Sequence, residues 1–443
     1  MTMQAQGPQR LRWSDLKQAL ADVPALALSF GYFFCLLCGY FMLRSIRDAF
    51  GATDDASAVF PPAMIAFFAE RGIALGTLTL QVLFTGTFVS MLVLQPFYGA
   101  LVSRYPRRVF LPFVYGLLVT ALGVFYLAFA NDVPGRGAAF FIFLAVVNLF
   151  AVTVFWSFMS DIYSSAQSRL FYGFIGVGGT LGALAGPALT KLIVKDVGVE
   201  TIMLISTGFM GLCLAFVIAL APWARRREEE RGGPRFDEAM GGRFLEGLRI
   251  VARDPLMRGM ALVMFFGVAV GTLLYNEQAA VARQIADDEA RTAFFATIDL
   301  WINGLTLAIQ LFITPFLLAR FGVAPLLLIP GLAITLGFAV LAGNPLPMLL
   351  MAVQIATRTG EFALAKPARE TIYTRVDAET RYKAKAFIDT AIYRGGDFTF
   401  VWVHKAIASF GSSVVFLLGT GMAMALFLSA WGVVRAQRAL SRG

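Results

Sequence analysis

Long apolar segments recur throughout this sequence and leave few folds open to it. Twelve windows are long enough to cross about 30 Å of hydrocarbon as helices. They are 24–47, 75–101, 109–130, 138–160, 171–194, 200–223, 256–276, 293–319, 323–342, 346–366, 384–408 and 412–435. Of the 443 residues, 58% are hydrophobic and 15% charged, whereas soluble domains have about 45–50% and 25%. Because helices satisfy every backbone polar group in lipid, the sequence predicts an all-α membrane protein with twelve transmembrane helices.

Basic residues gather in alternate loops, and this asymmetry predicts an orientation. Most Lys and Arg follow the second, fourth, sixth, eighth, tenth and twelfth spans. Membrane proteins keep such loops in the cytoplasm, so both termini are expected on the cytoplasmic side of a bacterial inner membrane. The net charge of +9 lies mostly in these loops, and no nucleic-acid partner is predicted.

One long polar segment interrupts the series of spans and separates six of them from the other six. It covers 224–255 and predicts a cytoplasmic linker between two six-helix bundles, 24–223 and 256–435. Cytoplasmic segments are expected at 1–23 and 436–443. Two bundles of this kind are typical of transporters built from parallel repeats.

The end of the first span carries charges within an apolar helix. Arg44 and Arg47 are three residues apart, and Asp48 follows Arg44 by four, so the three side chains share one helical face. Each charge would cost at least about 2 kcal/mol in lipid, so we expect this face, with Tyr40, to line a cavity. Two guanidinium groups and one carboxylate favour a carboxylate or phosphate ligand. The alternative is an anchor whose arginines reach the membrane interface.

Further polar residues lie within the spans of the second half. They form three pairs at helical spacing, namely Asp299 with Asn303, Arg358 with Glu361, and Arg394 with Asp397. Each pair can meet on one face of a regular helix and would serve a cavity lined by both halves. We expect the Arg358–Glu361 pair to be structural, because arginine keeps its proton and holds the carboxylate ionised. Charge neutralisation that only lets a helix pack is the alternative for each pair.

Other side chains are candidates for direct contact with a planar solute. Asn276 and Glu277 end the seventh span, and Asn148 and Trp156 lie in the fourth. Such amide and aromatic groups hydrogen-bond to solutes or stack on them, although they more often serve packing and interfaces. The glycines between 173 and 186 are typical of close helix packing. No metal site, cofactor motif or enzyme active site is predicted.

Three stretches resemble a known family. They are LRSIRDAFG at 43–51, FWSFMSDIYSSAQSRLFYGFIGVGGTLGALAGP at 155–187, and KPARETIYTRVDAETRYKAKAFIDTAIYRGGD at 366–397. They resemble bacterial relatives of the ATP/ADP antiporters of plastids and intracellular bacteria, and the likeness spans nearly the whole chain. The plan of six spans, loop and six spans resembles the wider major facilitator superfamily. So does the stretch from Gly99 to Arg108, although Ser103 stands where that motif usually has Asp.

The resemblance allows two basic and two acidic positions of the family to be compared with this sequence. It puts Arg47 where the nucleotide exchangers use a lysine in the first helix, and Lys385 where they use one near the start of the eleventh. The family's glutamate in the fourth helix has no counterpart at 152–155, and Glu277 is displaced from its glutamate in the seventh. The two basic positions are therefore kept in sign, and the two acidic positions are not.

Together, these observations predict a secondary transporter and not an enzyme. We expect a monomer in a lipid bilayer that moves a small organic anion, with phosphorylated and nucleotide-like compounds among the candidates, by rocking its two halves around a midplane site. One alternative is proton-driven export of an amphipathic or cationic compound, with Glu361 or Asp299 carrying the proton. Another is a transporter-shaped receptor without net flux. The candidate solute-binding residues are Arg44, Arg47, Tyr40, Asn148, Trp156, Asn276, Glu277, Lys385 and Arg394, and those for coupling or charge balance are Asp48, Asp299, Asn303, Arg358, Glu361 and Asp397.

Overall fold

The computed structural model describes a chain that is almost entirely helical. The described residues are 23–105, 107–231, 244–373, 376, 384–385 and 387–440, and they contain no strand. The helices, numbered in chain order, are α1 Val23–Gly51, α2 Ala56–Val59, α3 Pro62–Ala69, α4 Thr79–Arg104, α5 Arg107–Ala130, α6 Arg136–Ile162, α7 Ser165–Arg231, α8 Phe244–Arg253, α9 Pro255–Ala282, α10 Asp288–Phe312, α11 Thr314–Phe321, α12 Val323–Gly343, α13 Pro347–Gly360, α14 Lys366–Tyr373, α15 Tyr393–Ala408 and α16 Ser412–Leu440. A 3-10 turn, Leu75–Leu78, precedes α4, and π-helical segments, Glu361–Ala365 and Ile388–Ile392, precede α14 and α15.

The prediction of an all-α membrane fold is confirmed. In the described part of the chain, nine helices are long and apolar enough to cross a membrane. One of them, α7, covers two predicted spans. It bends between them at Gly198, whose φ of 80° and ψ of 167° form a conformation that glycine adopts easily. The predicted spans 346–366 and 384–408 each contain a π-helical segment. The count of twelve crossings remains a prediction.

Parts of the predicted organisation lie outside the described residues. These parts are the segment 1–22, the middle of the linker at 232–243, and the last residues, 441–443. The same holds for the side chains of 99–104 in the motif that resembles the superfamily. The division into two bundles joined by a cytoplasmic linker therefore stays a prediction.

Acidic side chains fix where two helices of the second half begin. Asp254 accepts a hydrogen bond from the amide of Leu256 at 2.7 Å, and Pro255 takes the first helical position, where no amide proton is needed. Asp287 accepts a bond from the amide of Ala290 at 2.7 Å. Each cap satisfies an amide that the helix start leaves free. Because α9 and α10 begin at fixed residues, the depth of the polar side chains they carry is also fixed.

The glycines of α7 bring that helix into backbone contact with α1. A Cβ atom on Gly186 would lie 2.5 Å from the carbonyl oxygen of Cys38, and one on Gly178 would lie 2.7 Å from that of Phe30. Only glycine permits such an approach between helices. The predicted packing role is confirmed for these positions, whereas a Cβ on Gly173 would meet nothing within 4 Å.

Two large apolar clusters and a smaller one form the core of the described residues. The first is built mainly from α1, α5, α6 and α7, and the second from α9 and α12 to α16. The smaller cluster draws on both sets of helices, with Ala49 of α1 and Leu80 of α4 beside Tyr275, Phe295 and Val401. The helices before and after the linker are thus packed together through this third cluster.

Candidate functional site

Arg44, Arg47 and Asp48 meet on one face of α1, as predicted. Asp48 lies 2.6 Å from Nη2 of Arg47 and 3.6 Å from Nε of Arg44, and it accepts a hydrogen bond from the Tyr275 hydroxyl at 3.0 Å. Arg44 also lies 3.3 Å from Asp299 of α10. The arginine side chains are 20% and 14% exposed. Arg44 contacts both parts of the chain, which favours a cavity over the interfacial anchor considered as an alternative.

Asp299 and Asn303 do not pair with each other, which corrects the expectation from their spacing. Asp299 is buried against Arg44, and its Oδ2 atom has no hydrogen-bond partner among the described residues. Asn303 instead donates to the carbonyl of Ala183 in α7 at 2.8 Å. Both side chains therefore face helices of the first half, where the tertiary structure offers each a different partner.

Arg394 and Asp397 do form the predicted pair, at 3.3 Å. Asp397 also accepts a hydrogen bond from the Thr272 hydroxyl at 3.0 Å, which joins α15 to α9. Asn276 donates to the carbonyl of Thr272, one turn earlier on its own helix, at 2.8 Å. The amide of Asn276 is thus occupied within α9, so the structure gives it a local role.

The expected ion pair between Arg358 and Glu361 is wrong. Glu361 is bound by Arg369 through two hydrogen bonds, of 2.5 Å and 3.2 Å. The π-helical segment Glu361–Ala365 separates these partners, and its wider turns change the angular spacing of the residues that follow. Spacing rules for a regular α-helix therefore failed here. Glu361 keeps a structural partner, but it is a different arginine.

Arg358 is left without a hydrogen bond or ion pair among the residues that the structure describes. It is half-buried and packs against α9, where a Cβ on Gly271 would lie 3.7 Å from its guanidinium group. It interacts electrostatically with Asp299, Asp397 and Glu361. Together with Arg44, Arg47 and Arg394, it makes four guanidinium groups for the three carboxylates Asp48, Asp299 and Asp397, an excess of one positive charge.

Three members of this group, Asp299, Arg358 and Asp397, lie at matching positions along their helices, as does Gly271 beside Arg358. Eleven positions separate each of these four residues from the helix end that the charge rule assigns to the outside. The pairs are Gly271 and Ala282, Asp299 and Asp288, Arg358 and Pro347, and Asp397 and Ala408. Eleven positions correspond to about 16 Å of helix, roughly half of a hydrocarbon layer of about 30 Å. We call this group the midplane site and include the α1 arginines, which lie seven and four positions from Gly51 and are joined to it by their contacts with Asp48 and Asp299.

Two predicted solute-binding residues have partners outside the midplane site. Lys385 contacts Glu370, with Nζ 2.6 Å from Oε2. Glu277 contacts His404 of α15, with 2.7 Å between Oε1 and Nε2. Neither side chain reaches the arginines of α1 in the described structure. The functional prediction for both residues therefore gains no support from their contacts.

The remaining candidates lie on the first half. Tyr40 is buried and interacts electrostatically with Arg44 and Arg47, so it adjoins the midplane site. Trp156 packs its ring against those of Phe33, Phe155 and Tyr172, at centroid distances of 5.0 to 5.3 Å. Asn148 is exposed on α6. Trp156 has the packing role that the sequence left open as an alternative.

Sequence reasoning missed Tyr275, Thr272 and His404. The hydroxyls of Tyr275 and Thr272 bind Asp48 and Asp397, and polar residues of this kind are too common in apolar spans to be selected by pattern. His404 did offer a signal, because it is the one histidine in the sequence and lies within a predicted span. An intramembrane ionisable residue is by itself a reason to search for a partner.

Comparison with known proteins supports the assignment of the fold. ADP,ATP carrier protein 1 of Chlamydia muridarum (strain MoPn / Nigg) is 24% identical over 422 residues, 82% of this chain and 78% of that protein. The chloroplastic ADP,ATP carrier protein 1 of Arabidopsis thaliana is 22% identical and is matched over 90% of this chain and 71% of its own. The solved structure of the nucleoside transporter NupG covers 95% of this chain and 99% of its own, with a TM-score of 0.58 and 14% identity.

The family assignment rests on a broader match. The sequence model of the Major Facilitator Superfamily matches residues 49–353, more than half of the chain. The relatives are named carriers, and the solved structure is that of a nucleoside transporter. This chain is a multi-pass secondary transporter that belongs to the Major Facilitator Superfamily.

Proposed function

We propose that this transporter moves a small organic anion, with phosphorylated and nucleotide-like compounds among the candidates, across the bacterial inner membrane with both termini in the cytoplasm. The two six-helix halves would rock around the midplane site. The solute would bind there through guanidinium groups, which match carboxylate and phosphate oxygens in a bidentate manner.

The single observation that carries this proposal is Arg358. A guanidinium group stays charged at every physiological pH, and this one lies within the predicted span 346–366 with no ion pair among described residues. An uncompensated charge at such a depth is costly. An anion in contact with Arg358 would supply the missing charge and leave the site neutral.

The pairs around Arg358 suggest how binding and conformational change are connected. Arg44 links α1 to α10 through Asp299, so one ion pair joins the two halves at the site. An anionic solute would compete with Asp299 for Arg44. Weakening this link on binding would favour movement between the halves, since a ligand shifts a conformational equilibrium by its differential affinity.

The relatives supply the order in which solutes are to be tested. The proteins from Chlamydia muridarum and Arabidopsis thaliana are named ADP,ATP carriers, and Arg47 keeps the basic charge at the position their family uses in the first helix. Nucleotides are therefore one arm of the test, with phosphorylated metabolites, carboxylates and siderophore-like anions as others.

The experiment is a thermal-shift screen of the purified protein against these anions, followed by uptake of any stabilising compound into proteoliposomes. Arg358→Gln should abolish the stabilisation by an anion while the protein remains folded. Arg320→Gln is the control, because Arg320 is an exposed arginine at the end of α11. The proposal is wrong if no anion stabilises the wild type, or if both variants bind the anion like wild type.

A further inference from the structure

Glu277 and His404 form a buried ionisable pair that is separate from the midplane site. Oε1 of Glu277 and Nε2 of His404 are 2.7 Å apart, and the two side chains are 8% and 11% exposed. The pair joins α9 to α15. Glu277 lies five positions and His404 four positions from the outer ends of these helices, so the pair is about 9 Å farther out than Asp299, Arg358 and Asp397.

The same segment of α15 binds the first half of the chain. Among the described residues, three hydrogen bonds join this segment to the first half, and we call them the outer gate. They are Gln81 Nε2 to the Val401 carbonyl (3.2 Å), Trp402 Nε1 to Thr85 Oγ1 (3.1 Å) and Lys405 Nζ to the Thr77 carbonyl (2.7 Å). His404 lies next to Lys405 within this segment. Separation of α4 from α15 would therefore remove part of the protein that shields the pair from water.

The 2.7 Å contact limits the net charge that Glu277 and His404 can carry together while the outer gate is closed. A ring nitrogen and a carboxylate oxygen 2.7 Å apart share a proton. With a neutral imidazole the pair carries one negative charge, and with one further proton it becomes a neutral imidazolium–carboxylate pair. Burial of an unpaired charge is unfavourable, so the closed gate favours the form with the additional proton. In water an imidazole loses that proton at about pH 6.5.

Charged groups on the surrounding elements already have other partners. Those nearest in sequence and depth are Tyr275, which donates to Asp48; Lys405, which donates to the Thr77 carbonyl; and Arg283, which pairs with Asp54. At this level α4 presents the uncharged Gln81 and Thr85, and the charged residues of α16, Arg435 and Arg438, lie at its other end. Arg358, Arg394 and Asp397 belong to the midplane site. The charge balance of the pair therefore depends on its own protonation and on Lys405, whose positive charge the Thr77 carbonyl does not neutralise.

We propose that the Glu277–His404 pair is a proton-binding site, and that closing the outer gate takes up one proton there. The outer gate controls access to the pair, as it would control access to the midplane site from the same side. An ion is coupled to the solute when the same gate controls access to both binding sites. This proposal concerns the coupling ion and does not depend on which solute the midplane site binds.

The first test measures how pH changes the gate. Spin labels on Glu70→Cys and Phe410→Cys, both exposed near the outer side, report the separation of the halves, and the three native cysteines are buried. Because the closed form holds the extra proton, the closed-to-open ratio should fall as pH rises from 5.5 to 8.5, by at most about tenfold per pH unit for one proton. Glu277→Gln and His404→Gln should each reduce this change to less than about twofold over the range.

Lys405→Gln is the matched control for these variants. It removes a charge and a hydrogen bond of the gate from the residue next to His404. It should lower the closed fraction at every pH and leave the pH dependence intact. A pH profile that is flat in the wild type, or that survives in His404→Gln, would overturn the proposal.

A second measurement observes the site directly and does not require a variant that folds. Because the sequence has one histidine, protein labelled with ¹⁵N-histidine and purified without a histidine tag gives imidazole signals from His404 alone. These signals should titrate over the same pH interval in which the label distances change. If His404 does not titrate between pH 5 and 9, the pair is not the proton site.

Discussion

The Asp48 carboxylate contacts three side chains. It is almost fully buried, contacts both arginines of α1 and accepts the hydroxyl of Tyr275 from α9. Its charge therefore compensates two guanidinium groups and connects two helices. The local spacing brought the arginines to it, whereas the hydroxyl was added by tertiary packing.

The first prediction concerns this carboxylate. Asp48→Asn should destabilise the ligand-free protein by about 3 kcal/mol, because removing one partner leaves buried charge uncompensated. Asp132→Asn is the matched control, since Asp132 lies 2.6 Å from Arg136, the same distance as in the Asp48–Arg47 pair, but is 86% exposed. Its effect should stay below about 1 kcal/mol. Unfolding in mixed micelles measures both, and equal losses would contradict the burial argument.

Helix packing at the scale of elements depends on where the glycines of α7 meet α1. Gly182 faces the backbone of α1 at Phe34 and Cys38, and Gly173, two and a half turns earlier, has no neighbour. One helix thus contains both a position that requires glycine and a position that does not. The comparison between them separates packing from intrinsic helix preference.

The second prediction uses this contrast. Gly182→Ala should destabilise the protein by about 1–3 kcal/mol, because the added methyl group forces two backbones apart. Gly173→Ala should be neutral or stabilise by up to about 1 kcal/mol, since alanine favours the helix. Thermal unfolding of both variants in one detergent provides the test. Similar losses in both would mean that the contact with α1 is not what constrains the glycines.

The π-helical segment before α14 also acts at this scale, because it determines the partner of Glu361. We predict that Glu361→Gln and Arg369→Gln each destabilise the protein and that the double variant loses less than their sum. A coupling energy of about 1–3 kcal/mol is expected for groups in direct contact. A double-mutant cycle measures it, with Arg358→Gln in place of Arg369→Gln as the control cycle. A larger coupling to Arg358 would restore the pair expected from helical spacing.

The role of Glu361 in transport can be tested independently. Paired with Arg369, it should balance charge and carry no proton, so Glu361→Gln should leave the ratio of protons to solute unchanged. Liposomes containing a pH indicator measure this ratio. If the wild type moves protons with its solute and the variant moves solute alone, Glu361 is the coupling site.

At the scale of the whole molecule, the loop charges predict the orientation in the membrane. Reporter fusions after residues 105, 235 and 375 should report cytoplasm, and those near residues 55 and 287 the outer side, because Lys and Arg follow that asymmetry. The outer gate and the Glu277–His404 pair take their assigned side from this order. A cytoplasmic signal at residue 55 would shift every following loop and reverse that assignment.

The sequence by itself determined the class of protein and the helices. Hydropathy and length are local properties, so they identified a helical membrane protein, and the glycines of α7 predicted close packing. Helical periodicity also placed Arg44, Arg47 and Asp48 on one face, because neighbours three and four residues apart meet in any α-helix. These conclusions required no knowledge of which helices are adjacent.

Only the tertiary structure decided the partners between helices. Arg44 reaches Asp299, Glu277 reaches His404, and Arg358 is left without a partner in the described chain. These contacts depend on which helices pack together and how each is rotated, and a π-helical segment changes the rotation of every residue after it. Spacing along the chain cannot contain that information, because the energy of a charge within a membrane depends on the groups that neighbouring helices bring to it.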